Sequence, residues 1–341
     1  MDYRQLGKTG LRVSELGFGA GMVAGLFVRG TTGEQQLAVQ RAIELGFNHF
    51  DTAPLYGHGS SEMNLGRVLN GLDAGQKHNV VVGTKVEYLA EHFADFEGWT
   101  CRSVEMSLDR LGRDFVDVLY LHNNVRYDGA GPHDGYEAVT PDQLLRPGGI
   151  ADALDRVRAE GLARHIGFTG TGDAGAVIEV LESGRFDVVQ AYYSLLNPSG
   201  SIRLPASSPL HDFHRLISRA AGLGVGVVAI RVLGGGVLGG TGARQGASGT
   251  TSSQSIHGVS PADEVGQAGV LRSFTGGGDS ELRDLAVRFA VANTDISSAL
   301  IGFSTTEQVE VAANALAMGP PSEGDLDRLE RVWATGFEQE R

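Results

Sequence analysis

Four side chains with complementary proton chemistry lie at or just beyond the ends of short apolar runs. Asp51, Lys85 and His122 each close such a run, and Tyr56 lies in the loop that follows the second run. A phenol has a pKa of about 10, so it is a poor acid at neutral pH unless a nearby cation favours its charged form. Lys85 is the candidate cation, and Asp51 is expected to keep it charged. Because a donor aimed at a carbonyl oxygen stabilises the charge that develops when hydride reaches the carbon, this set indicates redox chemistry at a carbonyl group.

Each of these residues also has a purely structural interpretation. Asp51 could accept hydrogen bonds from turn amides, since aspartate favours turns. Lys85 could end a strand in solvent, His122 could be a half-buried structural imidazole, and Tyr56 could be a packing aromatic. Their joint position at the ends of predicted strands favours a shared site over these separate roles.

Eight short apolar or β-branched runs alternate with amphipathic stretches along the chain. The runs have the length of buried strands, and the stretches between them carry apolar residues at helical spacing. Eight strand-then-helix units in 341 residues predict one domain, residues 1–341, folded as an α/β protein of the (β/α)8 TIM barrel type. In such a barrel the active site is built where the strands end, which is where the four residues lie. The predicted strands are 16–20, 47–51, 80–84, 116–121, 165–169, 188–191, 225–230 and 299–301, and the predicted helices are 33–45, 61–69, 99–111, 150–160, 174–181, 209–222 and 280–292.

Three segments lie outside this repeat. Residues 1–14 predict an N-terminal β-hairpin with its turn at Lys8-Thr9-Gly10, in position to cover the bottom of the barrel. Residues 123–149 and 234–278 are rich in turn-forming residues, lack a sustained period and predict long loops at the barrel mouth. The second loop is either a substrate lid or a surface insertion. Its candidate apolar lid contacts are His257, Leu271 and Phe274.

Composition argues against several classes of protein. The formal net charge is −13 and the pI is near 5.2, which leaves no basic surface field for nucleic acid or anionic lipid. Cys101 is the only cysteine, so an intrachain disulfide and a cysteine zinc cluster are excluded. The sequence also contains no His-Glu-x-x-His motif, which would have indicated a metal site. No long apolar run follows Met1. We expect a cytoplasmic enzyme, a monomer or small homo-oligomer, that acts on a small molecule and has no nucleic-acid, membrane or metal partner.

Several short motifs follow one another in an order that fits the predicted barrel. They are Phe50-Asp51-Thr52-Ala53-Pro54-Leu55-Tyr56-Gly57, Ser61-Glu62, Leu65-Gly66, Thr84-Lys85, Leu121-His122, Gln190-Ala191-Tyr192-Tyr193-Ser194 and Ile301-Gly302-Phe303-Ser304. Their order and spacing resemble the aldo-keto reductase family nearly from end to end. The resemblance implies a catalytic tetrad in which Tyr56 is the general acid/base and Lys85 lowers its pKa. It also implies that Asp51 pairs with the lysine and that His122 orients and polarises the carbonyl group.

The resemblance further implies a nicotinamide dinucleotide cofactor, bound near the strand ends. Gln190 and Thr169 would contact the nicotinamide carboxamide and Tyr193 would stack on the ring, with a structural glutamine and a core tyrosine as the alternatives. Thr169-Gly170 replaces the Ser-Asn of most relatives, so the Thr169 contact is either kept or absent. Arg231 beside glycine amides suits a pyrophosphate, or else reaches solvent. The complete implied set is Thr169, Gln190, Tyr193, Arg231, Leu233, Gly234, Ser304, Gln308 and Ala312.

The segment expected to meet the adenosine end of the cofactor carries no cation. Relatives that prefer NADPH usually have arginine or lysine beside the serine that meets the 2′-phosphate, but Ser304 is followed by Thr305-Thr306-Glu307-Gln308. The relatives' Glu-Asn adenine contacts are replaced by Val311-Ala312. A dianionic 2′-phosphate beside Glu307 without a cation should bind poorly. We therefore predict NAD as the favoured cofactor and NADP as the alternative.

Residues 166–170, with the sequence Ile-Gly-Phe-Thr-Gly, and the missing cation are similar to the branch of the family that contains L-galactose, L-fucose and aldose 1-dehydrogenases. This similarity implies oxidation of an aldose at its anomeric carbon to a lactone, with Tyr56 as the base and His122 holding the same oxygen. Two alternatives stay open. One is an NADPH-dependent reductase of aldehydes or ketones, including pyridoxal-like substrates, and the other is a non-catalytic barrel that binds nucleotide and regulates a partner. A Rossmann short-chain dehydrogenase is disfavoured because no Tyr-x-x-x-Lys motif occurs.

Overall fold

The computed structural model describes residues 1–129, 132–133, 136–240, 261–276 and 278–338 of the chain. The strands are β1 (Tyr3–Gln5), β2 (Arg12–Ser14), β3 (Leu16–Gly19), β4 (His49–Asp51), β5 (Val81–Val86), β6 (Val116–Leu121), β7 (Pro132–His133), β8 (Tyr136–Glu137), β9 (Ala163–Thr169), β10 (Val188–Tyr192), β11 (Gly226–Ile230) and β12 (Ser298–Gly302). Eight of them form a closed parallel barrel in the order β3, β4, β5, β6, β9, β10, β11, β12, with β12 pairing back onto β3. The predicted (β/α)8 TIM barrel is confirmed.

The described helices lie around the barrel. They are α1 (Leu26–Arg29), α2 (Thr32–Glu44), α3 (Ser60–Asn70), α4 (Ala74–Asn79), α5 (Phe96–Leu111), α6 (Pro141–Leu145), α7 (Ile150–Ala159), α8 (Ala174–Glu182), α9 (Leu216–Leu223), α10 (Pro261–Phe274), α11 (Asp279–Ala292), α12 (Thr306–Leu316) and α13 (Glu323–Thr335). The helix predicted at 209–222 begins only at Leu216, because His214 and Arg215 have left-handed φ angles of 51° and 54°. No helix in the described ranges is long and apolar enough to cross a membrane.

The segment 123–149, predicted as a mouth loop, contains short elements of secondary structure. Strands β7 and β8 pair antiparallel, and α6 follows them. The start of α6 is fixed by a capping box, in which the Thr140 side chain accepts from the Gln143 amide and the Gln143 side chain accepts from the Thr140 amide. The described part of this segment therefore has secondary structure of its own.

The segment 234–278, also predicted as a continuous loop, contains helix α10. The loop prediction is wrong for this part, because Gly266 and Gly269 interrupt the apolar period that would have indicated a helix. Leu271, a candidate lid contact, is fully buried. Residues 241–260, which include His257, lie outside the described residues, as does the side chain of Phe274.

The N-terminal hairpin closes the bottom of the barrel. Strands β1 and β2 pair antiparallel, with Tyr3 opposite Ser14. Leu6 and Val13 of this hairpin are fully buried in one apolar cluster with barrel side chains such as Val81 and Val188. The hairpin therefore packs apolar side chains against the bottom of the barrel interior.

The interior becomes polar toward the mouth. The ring of Tyr120 lies between two glycines, because a Cβ at Gly167 would come within 2.6 Å of its Cδ1 and a Cβ at Gly83 within 3.0 Å of its Cε2. His49 is completely buried with its Nδ1 3.0 Å from Ser298 Oγ, and desolvation lowers the pKa of its imidazole to about 4. These groups form the floor beneath the strand ends.

Candidate active site

Three strand ends and one loop bring the predicted tetrad together. Asp51 is the last residue of β4, Lys85 lies near the end of β5, and His122 follows β6. Because these strands are parallel neighbours, their ends meet at one rim of the barrel. Tyr56 lies in the loop between β4 and α3, where its amide donates to Ala53 O and its carbonyl accepts from the Ser61 amide. The four side chains therefore share one site.

Lys85 is held as a buried cation. Its side chain is 1% exposed, and Nζ donates to Asp51 Oδ1 at 2.5 Å and to Thr52 O at 2.8 Å. Burial alone would lower the pKa of Lys85, but the charge of Asp51 and the interactions with Asp51 and Tyr56 outweigh it and raise the pKa above its ordinary value. The ammonium group is therefore fixed in place and stays protonated.

Asp51 has a second partner, Gln190, which the resemblance assigned to the nicotinamide. Its Oδ2 accepts from Gln190 Nε2 at 2.6 Å, across 139 residues of chain. Gln190 is 2% exposed, so this bond is made in the interior. The side chain predicted to bind the nicotinamide carboxamide thus also orients the carboxylate that pairs with Lys85. A glutamine amide has two donors and one acceptor, so one bond to Asp51 does not use its full capacity.

Tyr56 lies within reach of both cationic and aromatic neighbours. Lys85 Nζ is 4.9 Å from the centre of the Tyr56 ring, and the His122 ring meets it edge-on, with centroids 5.8 Å apart and planes at 85°. Desolvation raises the pKa of Tyr56, Lys85 lowers it, and the net result is a pKa above the ordinary 10.0. Lys85 thus lowers the pKa of this phenol, as expected, but burial outweighs the attraction. Tyr56 is a proton donor at neutral pH.

His122 is paired with Glu87, which is not among the predicted site residues. Glu87 Oε1 lies 2.8 Å from His122 Nδ1, and both side chains are mostly buried, at 14% and 12% exposure. Glu87 follows β5 and stands two residues after Lys85. Side chains two apart on a strand point to the same face, so this spacing places Glu87 on the side of Lys85 but does not indicate its contact with His122.

Tyr193 does not reach the rim. Gln190 points into the barrel, so strand alternation sends Tyr192 inward and Tyr193 outward. Tyr193 is 3% exposed, and its ring stacks on Phe289 with centroids 4.9 Å apart and planes at 13°. The predicted stacking of Tyr193 on a nicotinamide ring is therefore not supported, and Tyr192 is the tyrosine on the inner side.

Arg231 already has a carboxylate partner. Its Nη2 lies 3.0 and 3.1 Å from the two carboxylate oxygens of Glu264 on α10. The charge predicted to meet a pyrophosphate is thus compensated within the chain. Leu233 and Gly234 begin the turn that follows, and Gly234 adopts a left-handed φ of 55°.

The residues predicted at the adenosine end gather at the start of α12. The Ser304 amide donates to Gln308 Oε1 at 2.8 Å, and Ser304 Oγ donates to Ala24 O at 2.8 Å. Ala312 lies one turn further on and is 4% exposed. Glu307 is exposed beside them, so the segment that the resemblance assigned to the adenosine end carries a negative charge at its surface.

Comparison with known proteins identifies the family. The family model described as the aldo/keto reductase family matches residues 15–334. The chain belongs to the aldo-keto reductase family. L-Galactose dehydrogenase of Arabidopsis thaliana is 31% identical over 316 residues, which cover 91% of this chain and 86% of that protein. L-Glyceraldehyde 3-phosphate reductase of Escherichia coli strain K12 is 26% identical over 358 residues, which cover 98% of this chain and 93% of that protein. A solved aldo-keto reductase from Bacillus halodurans, in its holo form, has a TM-score of 0.69 at 22% identity over 99% of both chains and supports the fold.

Aldo-keto reductases are oxidoreductases of carbonyl and hydroxyl groups and use nicotinamide nucleotides, so the rim should suit such a cofactor. Thr169 ends β9, and its buried hydroxyl has no hydrogen-bond partner within the described part of the chain. A buried polar atom left in this way is expected to meet a ligand or water. The hydroxyl therefore fits the carboxamide contact that the sequence resemblance implied.

Proposed function

We propose that this aldo-keto reductase oxidises an aldose at its anomeric carbon to a lactone, with NAD favoured over NADP and Tyr56 as general acid/base. When bound, the nicotinamide cofactor accepts hydride in oxidation and supplies it in reduction. Thr169 and Gln190 would hold its carboxamide, Arg231 its pyrophosphate, and Ser304 its adenosine end. The same assignment includes Leu233, Gly234, Gln308 and Ala312, whereas Tyr193 is withdrawn.

One arrangement carries the proposal: a fixed ammonium beside a phenol whose ring faces an imidazole. Asp51 and the Thr52 carbonyl oxygen hold Lys85, and Lys85 Nζ lies 4.9 Å from the centre of the Tyr56 ring. A phenolate formed at Tyr56 would be stabilised by that ammonium in a dry setting, where the charges interact more strongly than in water. Tyr56 can thus exchange a proton with the reacting oxygen, and His122 can bind the same oxygen from the other side.

Similarity to a relative that is named as a sugar dehydrogenase supports an aldose as the substrate. L-Galactose dehydrogenase matches most of this chain at 31% identity. NAD is supported by the segment 304–312, which contains Glu307 and Glu310 and no arginine or lysine. A preference for NADP of about sevenfold or more in kcat/KM, roughly 1.2 kcal/mol, would contradict this part of the proposal.

A reductase of aldehydes or ketones is the second candidate. It is favoured by the raised pKa of Tyr56, because a phenol that stays protonated suits donation to a carbonyl oxygen. A relative named for reduction of L-glyceraldehyde 3-phosphate also matches 98% of this chain. A non-catalytic nucleotide-binding barrel is less well supported, since binding a nucleotide does not by itself require the buried Lys85–Asp51 pair.

Initial rates across a substrate panel test the proposal. Aldoses with NAD and aldehydes with NADPH would be compared at equal enzyme concentration, with nicotinamide absorbance as the readout. We expect turnover of at least one aldose with NAD, and loss of turnover in Tyr56→Phe with cofactor binding retained. Turnover confined to aldehydes with NADPH would favour the reductase, and turnover that survives in Tyr56→Phe would remove Tyr56 as the acid/base.

A further inference from the structure

The main chain at Glu87 is fixed beside the tetrad. In the pairing of β5 with β6, Val86 stands opposite Leu121, and the His122 amide continues the ladder by donating to Val86 O at 2.9 Å. Glu87 is the next residue after this pair, and its carbonyl oxygen accepts from Trp99 Nε1 at 2.7 Å. The side chain of Glu87 therefore starts from a backbone that is held by both the barrel and α5.

Only one of the two carboxylate oxygens of Glu87 is used within the protein. Oε1 lies 2.8 Å from His122 Nδ1. Oε2 makes no hydrogen bond within the described part of the chain, and it is not fully enclosed, since the side chain is 14% exposed. An ionised carboxylate can only accept hydrogen bonds, so Oε2 is an acceptor that can receive a donor from a bound molecule.

This carboxylate lies close to the group that exchanges the proton. A single imidazole ring links the two, because His122 meets Tyr56 edge-on with centroids 5.8 Å apart and contacts Glu87 through Nδ1. Desolvation is the largest cause of the raised pKa of Tyr56, and the negative charge of Glu87 adds to it. A substrate whose reacting oxygen meets the Tyr56 hydroxyl therefore brings its neighbouring atoms toward Glu87.

We propose that Glu87 is a specificity-determining residue, whose Oε2 accepts a hydrogen bond from a second hydroxyl group of the substrate, on the carbon next to the one that reacts. The inference rests on the proposed function and narrows it, with Tyr56 kept as the acid/base. It assigns the site to polyhydroxy substrates, such as an aldose with a hydroxyl group at carbon 2, and against simple aldehydes and ketones.

The chemistry of the carboxylate determines which substituent it selects. A hydroxyl group donates to it, whereas a phosphate or carboxylate group of the substrate would be repelled. Hydrogen bonds to an ionised acceptor are about twice as strong as those between neutral groups. A substrate without the hydroxyl would cover Oε2 and leave it without a donor, and this is the situation in which a binding site rejects an analogue most strongly.

Pairs of substrates that differ in this one hydroxyl test the proposal. In oxidation with NAD, the aldose that is turned over fastest would be compared with its 2-deoxy analogue. In reduction with NADH and with NADPH, glycolaldehyde would be compared with acetaldehyde. In the unsubstituted protein, kcat/KM should favour the hydroxylated member of each pair by about 10- to 100-fold, the effect of one hydrogen bond to a charged group. A preference below about threefold would overturn the proposal.

Substitution of Glu87 assigns the preference to this side chain. Glu87→Met removes both oxygens at similar length, and loss of the His122 contact should slow both members of a pair. Loss of recognition should in addition bring their ratio within about threefold of unity, which a purely structural role would leave unchanged. Glu91→Met removes the same charge at an exposed position four residues later and should keep the preference.

An unchanged preference in Glu87→Met, or an equal loss of preference in Glu91→Met, would refute the role of Glu87. Circular dichroism would establish that each variant is folded. If Glu87→Met does not fold, Glu87→Gln replaces it, because a neutral amide oxygen is a weaker acceptor and should reduce the preference. An unchanged preference in Glu87→Gln would then overturn the proposal.

The two substrate pairs separate this inference from the proposed function. If no aldose is oxidised but glycolaldehyde is preferred to acetaldehyde through Glu87, the proposed function fails and the inference stands. If an aldose and its 2-deoxy analogue are oxidised equally well, the proposed function stands and the inference fails. If neither aldoses nor glycolaldehyde are turned over, both are refuted.

Discussion

Replacing Lys85 by methionine would test whether the buried ion pair organises the site. Methionine keeps the length of the side chain and removes the charge. The ammonium of Lys85 donates to Asp51 Oδ1 at 2.5 Å and to Thr52 O at 2.8 Å, and both charged residues are at most 4% exposed. In the variant, the Asp51 carboxylate keeps the Gln190 donor but loses its counter-charge.

The loss should be large because the remaining charge is buried. Breaking a buried pair by removing one partner costs about 3–5 kcal/mol in the free energy of unfolding. The carboxylate could instead take up a proton and become neutral. For an ordinary aspartic acid this costs about 4 kcal/mol at pH 7, so the expected loss is similar whether the carboxylate stays charged or is protonated. In Asp51→Asn/Lys85→Met no charge remains, and we expect this double variant to recover at least about 2 kcal/mol relative to Lys85→Met.

Urea unfolding followed by tryptophan fluorescence measures both values, since Trp99 and Trp333 report from different parts of the barrel. Circular dichroism should give a coincident transition, which is required before free energies are compared. Lys77→Met, at an exposed position on α4, is the matched control and should change the free energy by less than about 0.5 kcal/mol. A loss below about 1 kcal/mol in Lys85→Met, or a double variant as unstable as the single one, would refute the reasoning.

Three further predictions concern titration and packing. Because burial raises the pKa of Tyr56, the tyrosinate absorbance that Tyr56→Phe removes should develop only above pH 10, and its presence below pH 9 would contradict this. The folded protein holds the pKa of His49 near 4 against an ordinary 6.5, so acidification protonates the unfolded chain first. Between pH 6.5 and pH 4, the free energy of unfolding of the unsubstituted protein should fall by about 3 kcal/mol more than that of His49→Gln. The same pH dependence in both proteins would refute the lowered pKa of His49. Gly167→Ala would bring a Cβ within 2.6 Å of the Tyr120 ring and should cost about 1–3 kcal/mol in urea unfolding, whereas Gly33→Ala, in open space on a helix, should not destabilise the protein.

The barrel could be predicted because strand and helix periods are local properties of the chain. All eight predicted runs lie within two residues of a barrel strand. The tetrad could be predicted for the same reason, since Asp51, Lys85 and His122 stand at strand ends and parallel strands end at one rim. Helix α10 was missed because Gly266 and Gly269 weaken the helical period that reveals a helix in sequence.

The partners of the tetrad could not be read from the sequence. Gln190 reaches Asp51 across 139 residues, and this contact depends on how the closed barrel brings β10 opposite β4. Glu87 meets His122 because β5 and β6 pair in one particular register, which no local pattern specifies.

The amino-acid sequence by itself determined the eight alternating units, the residue types at their ends and the family to which those motifs point. Only the tertiary structure decided that Tyr193 faces the outer layer and that Arg231 is paired with Glu264. It also decided that burial raises the pKa of Tyr56 in spite of Lys85. The reason is that periodicity is set by neighbours along the chain, whereas contacts and pKa values are set by closure of the barrel, which fixes what surrounds each side chain and how much water reaches it.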